Sequence, residues 1–110
     1  RIAQYTVSTM HADEQSGAAW AKERDRLRDL LVTRRTALNE ACSKLGVPLN
    51  PTMDGFFAWI ESDDPAALAE ACADQDVYLV PLTGGVRIGL CAVPLSQIPR
   101  VAEALANALA

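Results

Sequence analysis

Apolar positions along the chain change period several times, and each change marks an element. Between Gly17 and Leu45 the residues Trp20, Leu27, Leu30, Leu31, Leu38, Ala41 and Leu45 recur at helical spacing, which predicts one long helix. Gly46 suits the left-handed residue after a helix, and Pro48 stops the helix from resuming. Val47 to Asp54 reads as a connection. Gly55-Phe56-Phe57-Ala58-Trp59-Ile60-Glu61 is apolar at nearly every position, which predicts a strand covered on both faces. Ser62-Asp63-Asp64-Pro65 is a helix start, with an acidic cap and a proline for the first turn. It opens a short helix, Ala66 to Ala73, that buries Leu68 and either Ala71 or Cys72. Val77 to Pro81 is a second strand, and Leu82 to Gly85 a turn in which Gly84-Gly85 supplies positive φ. Val86 to Ala92 is a third strand, expected to pair antiparallel with the second. Ser96 is a candidate cap for a last helix with Ile98, Val101, Ala102, Leu105 and Leu109 on one stripe, and Pro99 falls in its first turn. At the other end, Arg1 to Ser16 has no clean period. Gln4 to Met10 leans towards strand, and the segment reads as a leader or a short helical lead-in.

The order helix, strand, helix, strand, strand, helix predicts an α+β fold, a two-layer α/β sandwich: a small, mostly antiparallel sheet with helices packed on one face. Residues 1–16 are expected to be a leader or the remnant of a preceding segment, and residues 17–110 one domain with a modest core. At 1.5 Å per residue the first helix would be about 40 Å long, more than one small core needs. Its N-terminal half, around Trp20, is therefore expected to pack on something outside this chain. The first residue is Arg1, so the chain is expected to be cut from a longer one. No secretory signal is read, and no apolar run approaches the roughly 20 residues that span a bilayer.

Charge and cysteine content narrow the function. The net charge of −4 argues against a general nucleic-acid binder. Lys22, Arg24, Arg26, Arg28, Arg34 and Arg35 make one helix face basic, but Glu23, Asp25 and Asp29 interleave at spacings that fit a solvated face better than an RNA surface. Cys42, Cys72 and Cys91 are far apart and His11 is the only histidine, so no spacing supports a metal site. Reduced, buried cysteines in a cytoplasmic protein are the expectation.

No catalytic set emerges. The only lysines, Lys22 and Lys44, lie on the polar face of the long helix, where nothing desolvates an amine. Serines lack a usable histidine, and Gly84-Gly85 precedes a strand rather than a helix, unlike a phosphate loop. Asp63-Asp64 is explained as a cap. Arg87 is the residue without an explanation. Alternation puts Val86, Ile88 and Leu90 on one face of the third strand and Arg87, Gly89 and Cys91 on the other. A guanidinium keeps its charge and is costly to bury unpaired. It needs either a protein carboxylate, such as Glu61 or Asp76, or an anion from outside. Gly89, on the same face, leaves room beside it for a small anion, and a planar fork matches a carboxylate.

From about Trp20 to Leu109 these pieces resemble the C-terminal small domain of class I, fold-type I, pyridoxal-phosphate-dependent aminotransferases, nearest the aspartate and aromatic branch. The resemblance rests on the Trp20-led helix, "DGFFAWIE", "DQDVYLVPLTGGVRIGLCAVP" and the closing "LSQIPRVAEALANAL", in that order. It implies that Arg87 binds the α-carboxylate of the substrate, and that Gly55 and Phe56, with Phe57 as a further candidate, line the substrate cleft. It further implies a parent enzyme, commonly a cytoplasmic homodimer, that moves an amino group between an amino acid and a 2-oxo acid through pyridoxal 5'-phosphate. The Schiff-base lysine and the other cofactor ligands belong to a large domain, so the resemblance implies that this fragment is non-catalytic and binds no cofactor alone. Two readings compete with it: a free-standing small-molecule-binding regulatory module, and a dimerisation module built on the long helix.

Overall fold

A computed structural model describes residues 1–51 and 55–110, so the end of the predicted connection, at Asp54, lies outside the described residues. The elements are α1 (Ile2–Ala12), α2 (Glu14–Leu45), β1 (Phe57–Glu61), α3 (Pro65–Ala73), β2 (Val80–Leu82), β3 (Gly85–Gly89) and α4 (Ile98–Leu109), with a 3₁₀ turn at Leu95–Gln97. They group into two compact units, Arg1–Leu30 and Leu31–Ala110.

The first unit corrects the strand tendency read at Gln4 to Met10. That segment is helical, and the hydroxyls of its threonines Thr6 and Thr9 are satisfied within it by donating to the carbonyls of Ile2 and Tyr5, one turn back. The long helix also starts earlier than Gly17. Asp13 caps it, its Oδ2 accepting from the Ser16 amide at 3.0 Å and the Ser16 hydroxyl at 2.7 Å. Trp20 packs edge-on against His11 with centroids 4.8 Å apart, and Arg24 lies 5.1 Å from the Trp20 ring.

Those bonds to Ser16 hold the Asp13 carboxyl below its ordinary value of 3.8. A depressed carboxylate stabilises above the unfolded pKa and loses that contribution as pH falls through the folded one. Helicity at the start of α2 should therefore persist at pH 5 and fall in acid below the usual aspartate range. Asp13→Asn, whose amide oxygen caps without titrating, should flatten that pH dependence in amide exchange at Ser16 and Gly17. An unchanged acid response in the variant would refute the assignment.

In the second unit the sheet is antiparallel with order β1-β3-β2, so the arginine-bearing strand is central. This is the α+β architecture the element order predicts. Ala58 and Ile60 of β1 and Val86 and Ile88 of β3 are buried with Leu90. They meet Leu38 and Cys42 of α2, Leu68 and Cys72 of α3, and Ile98, Val101, Ala102 and Leu105 of α4. The helices thus cover one face of the sheet.

Several expectations are corrected. β1 is covered on one face only, since Phe57 and Glu61 are exposed. The α2 stripe is not buried along its length: Leu27, Leu30 and Leu45 are exposed, and Arg35, Leu38 and Cys42 are the buried residues. Leu109 is likewise exposed on α4. β2 begins at Val80 rather than Val77 because α3 closes with Asp76 at φ +61°, and the Val77 amide is spent on the Cys72 carbonyl at 3.0 Å. β3 stops at Gly89 rather than Ala92, because the Leu90 and Cys91 carbonyls are taken by Arg34. Ser96 caps nothing, since the 3₁₀ turn leads in and Gln97 stands at the start of α4 without a side-chain cap. The expected signals at Gly46 (φ +72°), Asp64 (accepting from the Ala67 amide) and Pro99 all hold.

Only two of the three cysteines are buried. Cys91 is exposed, a correction that follows from β3 ending before it. Burial pushes the Cys42 thiol up to about 11 and raises that of Cys72. At pH 8 an aromatic disulfide should label Cys91 of the native chain and leave Cys42 and Cys72 unmodified until the fold is denatured. Peptide mapping checks this, and prompt labelling of Cys42 would contradict its burial.

Candidate functional site

The site is on the sheet face opposite the helices. Register places Trp59 and Val80 directly across from Arg87, Phe57 across from Gly89, and Glu61 and Leu82 across from Gly85. Cross-strand partners share a face, so Phe57, Trp59, Glu61, Val80 and Leu82 surround the β3 residues Gly85, Arg87 and Gly89.

Arg87 stands between two glycines with different surroundings. At Gly85 an added Cβ would lie 2.5 Å from Trp59 Cζ2 and would also strike the Ile60 carbonyl oxygen. The Trp59 ring leans diagonally over Gly85 and fills that place. At Gly89 an added Cβ would meet nothing nearer than the Ala92 Cβ at 3.9 Å. The backbone there is in a conformation that any residue adopts. Gly89 is an unfilled place beside a cation.

Arg87 leans towards that place. Its Cζ lies 4.4 Å from the centroid of the Phe57 ring, a cation–π contact. Neither carboxylate named as a protein partner pairs with it. Asp76 is bound instead by Arg100 at 3.7 Å, and Glu61 sits opposite Gly85, two pairs further along the ladder. Among the described residues Arg87 makes no ion pair.

Sequence reasoning missed two arginines that support this end of the sheet. Arg34 and Arg35 do not belong to the solvated face of the long helix, which holds Lys22 and Arg24, Arg26 and Arg28 with their neighbouring acids. Arg34 Nη1 donates to the Leu90 and Cys91 carbonyls at 2.9 and 3.2 Å. Arg35, only 3% exposed, donates from Nη2 to the Phe57 carbonyl at 2.7 Å. The signal available was position: they follow Leu30 and Leu31 and precede Leu38, on the stretch of helix that meets the core.

Gly55 and Phe56 precede β1 and are exposed. Gly55 has φ +102°, a conformation that a side chain would strain although space is open around it. The Phe56 carbonyl accepts from the Leu90 amide at 2.9 Å, extending the ladder by one bond. The ring that meets the guanidinium is that of Phe57, the next residue.

Among the described residues, no group of three or more metal-ligating side chains is found, and no helix is long and apolar enough to cross a membrane.

A family model described as aminotransferase class I and II matches residues 1–105, and so runs through the first sixteen residues as well. Among solved structures the chain is similar to an aminotransferase from Anaerococcus prevotii DSM 20548, with a TM-score of 0.82 and 22% identity over 87% of this chain and 24% of that one. At that identity the likeness shows the fold. The chain spans about a quarter of the length of that relative. No curated protein matches.

Proposed function

The chain belongs to the class I and II aminotransferase family, and from that premise we propose that it is the substrate-carboxylate-binding small domain of a larger aminotransferase, with Arg87 as the carboxylate ligand. One observation carries the reading: a permanent cation in mid-strand, without an ion partner among the described residues, beside an unfilled glycine. Two parallel N–H donors fit the two oxygens of a carboxylate, and the fit fixes orientation as well as charge. Gly55 and Phe56, at the head of β1, are the residues proposed to line the same cleft.

In the parent the substrates would be an amino acid and a 2-oxo acid, and the enzyme a cytoplasmic homodimer. Pyridoxal 5'-phosphate is the cofactor the family implies, and when bound it supplies an electron sink for carbanion chemistry. The described residues do not fit its covalent site, because both lysines, Lys22 and Lys44, are exposed. This chain is proposed to bind and orient substrate, and the chemical step belongs to residues outside it. Holding a carboxylate in register with a reacting bond is itself worth a large part of a barrier.

The test is Arg87→Ala in the full-length protein, with amino-acid affinity and thermal unfolding measured together. Affinity should collapse while the melting temperature holds. Retained affinity in a folded variant would overturn the proposal.

A further inference from the structure

We propose that Phe57 is the positioning residue for Arg87. Its ring sets the plane of the guanidinium, and its own place is set by Arg35 through the Phe57 carbonyl. The inference rests on the carboxylate-binding reading above and goes past it, since that reading requires only the cation.

An arginine side chain on an open sheet face has several rotatable bonds, and its fork is useful only if it stops in one orientation. Nothing polar stops it here, because Arg87 makes no ion pair among the described residues. What it does meet is Phe57, diagonally across the ladder at 4.4 Å. Diagonal pairs on one face lie within reach of long and aromatic side chains. With the Phe57 ring against it, the guanidinium is held beside Gly89, directly opposite Phe57, where no side chain blocks the approach.

The ring must in turn be held, although Phe57 is 45% exposed and stands at the first position of β1. Strand ends fray, and this one follows Gly55, at φ +102°. Arg35 counters that. Its buried guanidinium reaches from α2 to the Phe57 carbonyl at 2.7 Å, and a charge-assisted bond of that length is among the stronger kinds. Just past the end of the facing strand Arg34 does the same for the Leu90 and Cys91 carbonyls. The helix thereby holds the chain on both sides of the Phe57–Gly89 pair.

The test uses the full-length protein and 3-phenylpropanoate, a carboxylate without an amino group, titrated by calorimetry against wild type, Phe57→Leu, Phe57→Tyr and Arg87→Ala. Phe57→Leu should weaken binding roughly two- to fivefold, as expected for losing a cation–π contact at an exposed site. Phe57→Tyr keeps the ring face and should stay within about twofold of wild type on the same ground. A second readout is independent of ligand: the Arg87 Nε–H resonance should carry an upfield ring-current shift in wild type and Phe57→Tyr, and lose it in Phe57→Leu. If Arg87→Ala binds the acid as wild type does, the carboxylate reading fails. If Arg87→Ala abolishes binding but Phe57→Leu binds as tightly as wild type, that reading stands and this proposal falls. Equal losses in Phe57→Leu and Phe57→Tyr would also overturn it, since general packing rather than the ring face would then be responsible. Should Phe57→Leu unfold, the tyrosine variant decides through the ring-current shift, whose absence would refute the stack.

Discussion

On the proposed carboxylate-binding reading, replacing Arg87 by alanine in the full-length protein is expected to lower kcat/KM for an amino-acid substrate by roughly two to four orders of magnitude. A charge-assisted hydrogen bond contributes about 1.5–3 kcal/mol, the bidentate pair loses two of them, and each 1.4 kcal/mol is tenfold. Arg87→Lys should fall between alanine and wild type, because an ammonium keeps the charge but presents no planar fork. Stability should hardly change. The side chain makes no ion pair among the described residues, and its stack on Phe57 is worth only about 0.5–1 kcal/mol at an exposed site. This separation of affinity from folding distinguishes a ligand-binding arginine from a structural one. A folded lysine or alanine variant that keeps wild-type affinity but melts several degrees lower would return Arg87 to the scaffold.

The reason Arg87 was legible in the sequence is that strand alternation and charge are both local. Val86, Ile88 and Leu90 go inward together, so the residue between them must go outward, and the structure places it so. The Gly46 and Asp64 caps were legible for the same reason: each is decided within one turn of the chain. What the sequence hid depends on partners distant in the chain. Arg34 reaches residues 56 and 57 positions away, and Arg35 one 22 positions away. A charge pattern counted within one helix sees only the neighbouring acids and assigns both arginines to solvent. The length of β2 was hidden by Asp76. An aspartate gives no warning that it will take the left-handed place usually held by glycine, and that choice removes the Val77 amide from the ladder. Phe57 shows a third limit. Phe56 and Phe57 differ only in parity, and parity follows from the register with β3, which no single strand reveals.

Gly85→Ala is expected to be the most destabilising small substitution in the sheet, although it adds a single methyl group. The new Cβ would lie 2.5 Å from Trp59 Cζ2 and would collide with the Ile60 carbonyl oxygen. A ring can swing aside; a carbonyl in the adjacent strand cannot move without parting β1 from β3. Overpacking of this kind costs about 1–3 kcal/mol, and a backbone clash belongs at the upper end. For a unit of this size that corresponds to a fall of roughly 10 °C or more in its melting transition. Amide exchange should show the loss as reduced protection across β1 and β3, with α4 less affected. Gly89→Ala is the control on the same strand and the same face, two residues beyond Arg87 instead of two before it. Its Cβ would meet only the Ala92 Cβ at 3.9 Å, so protection should match wild type. If the alanine at position 85 proves as stable as wild type, the Trp59 packing described above is wrong, and with it the asymmetry between the two glycines. If the asymmetry holds, glycine at 85 is required by the fold, whereas glycine at 89 is not. The open place at 89 then needs another cause, and a carboxylate seated against Arg87 supplies one.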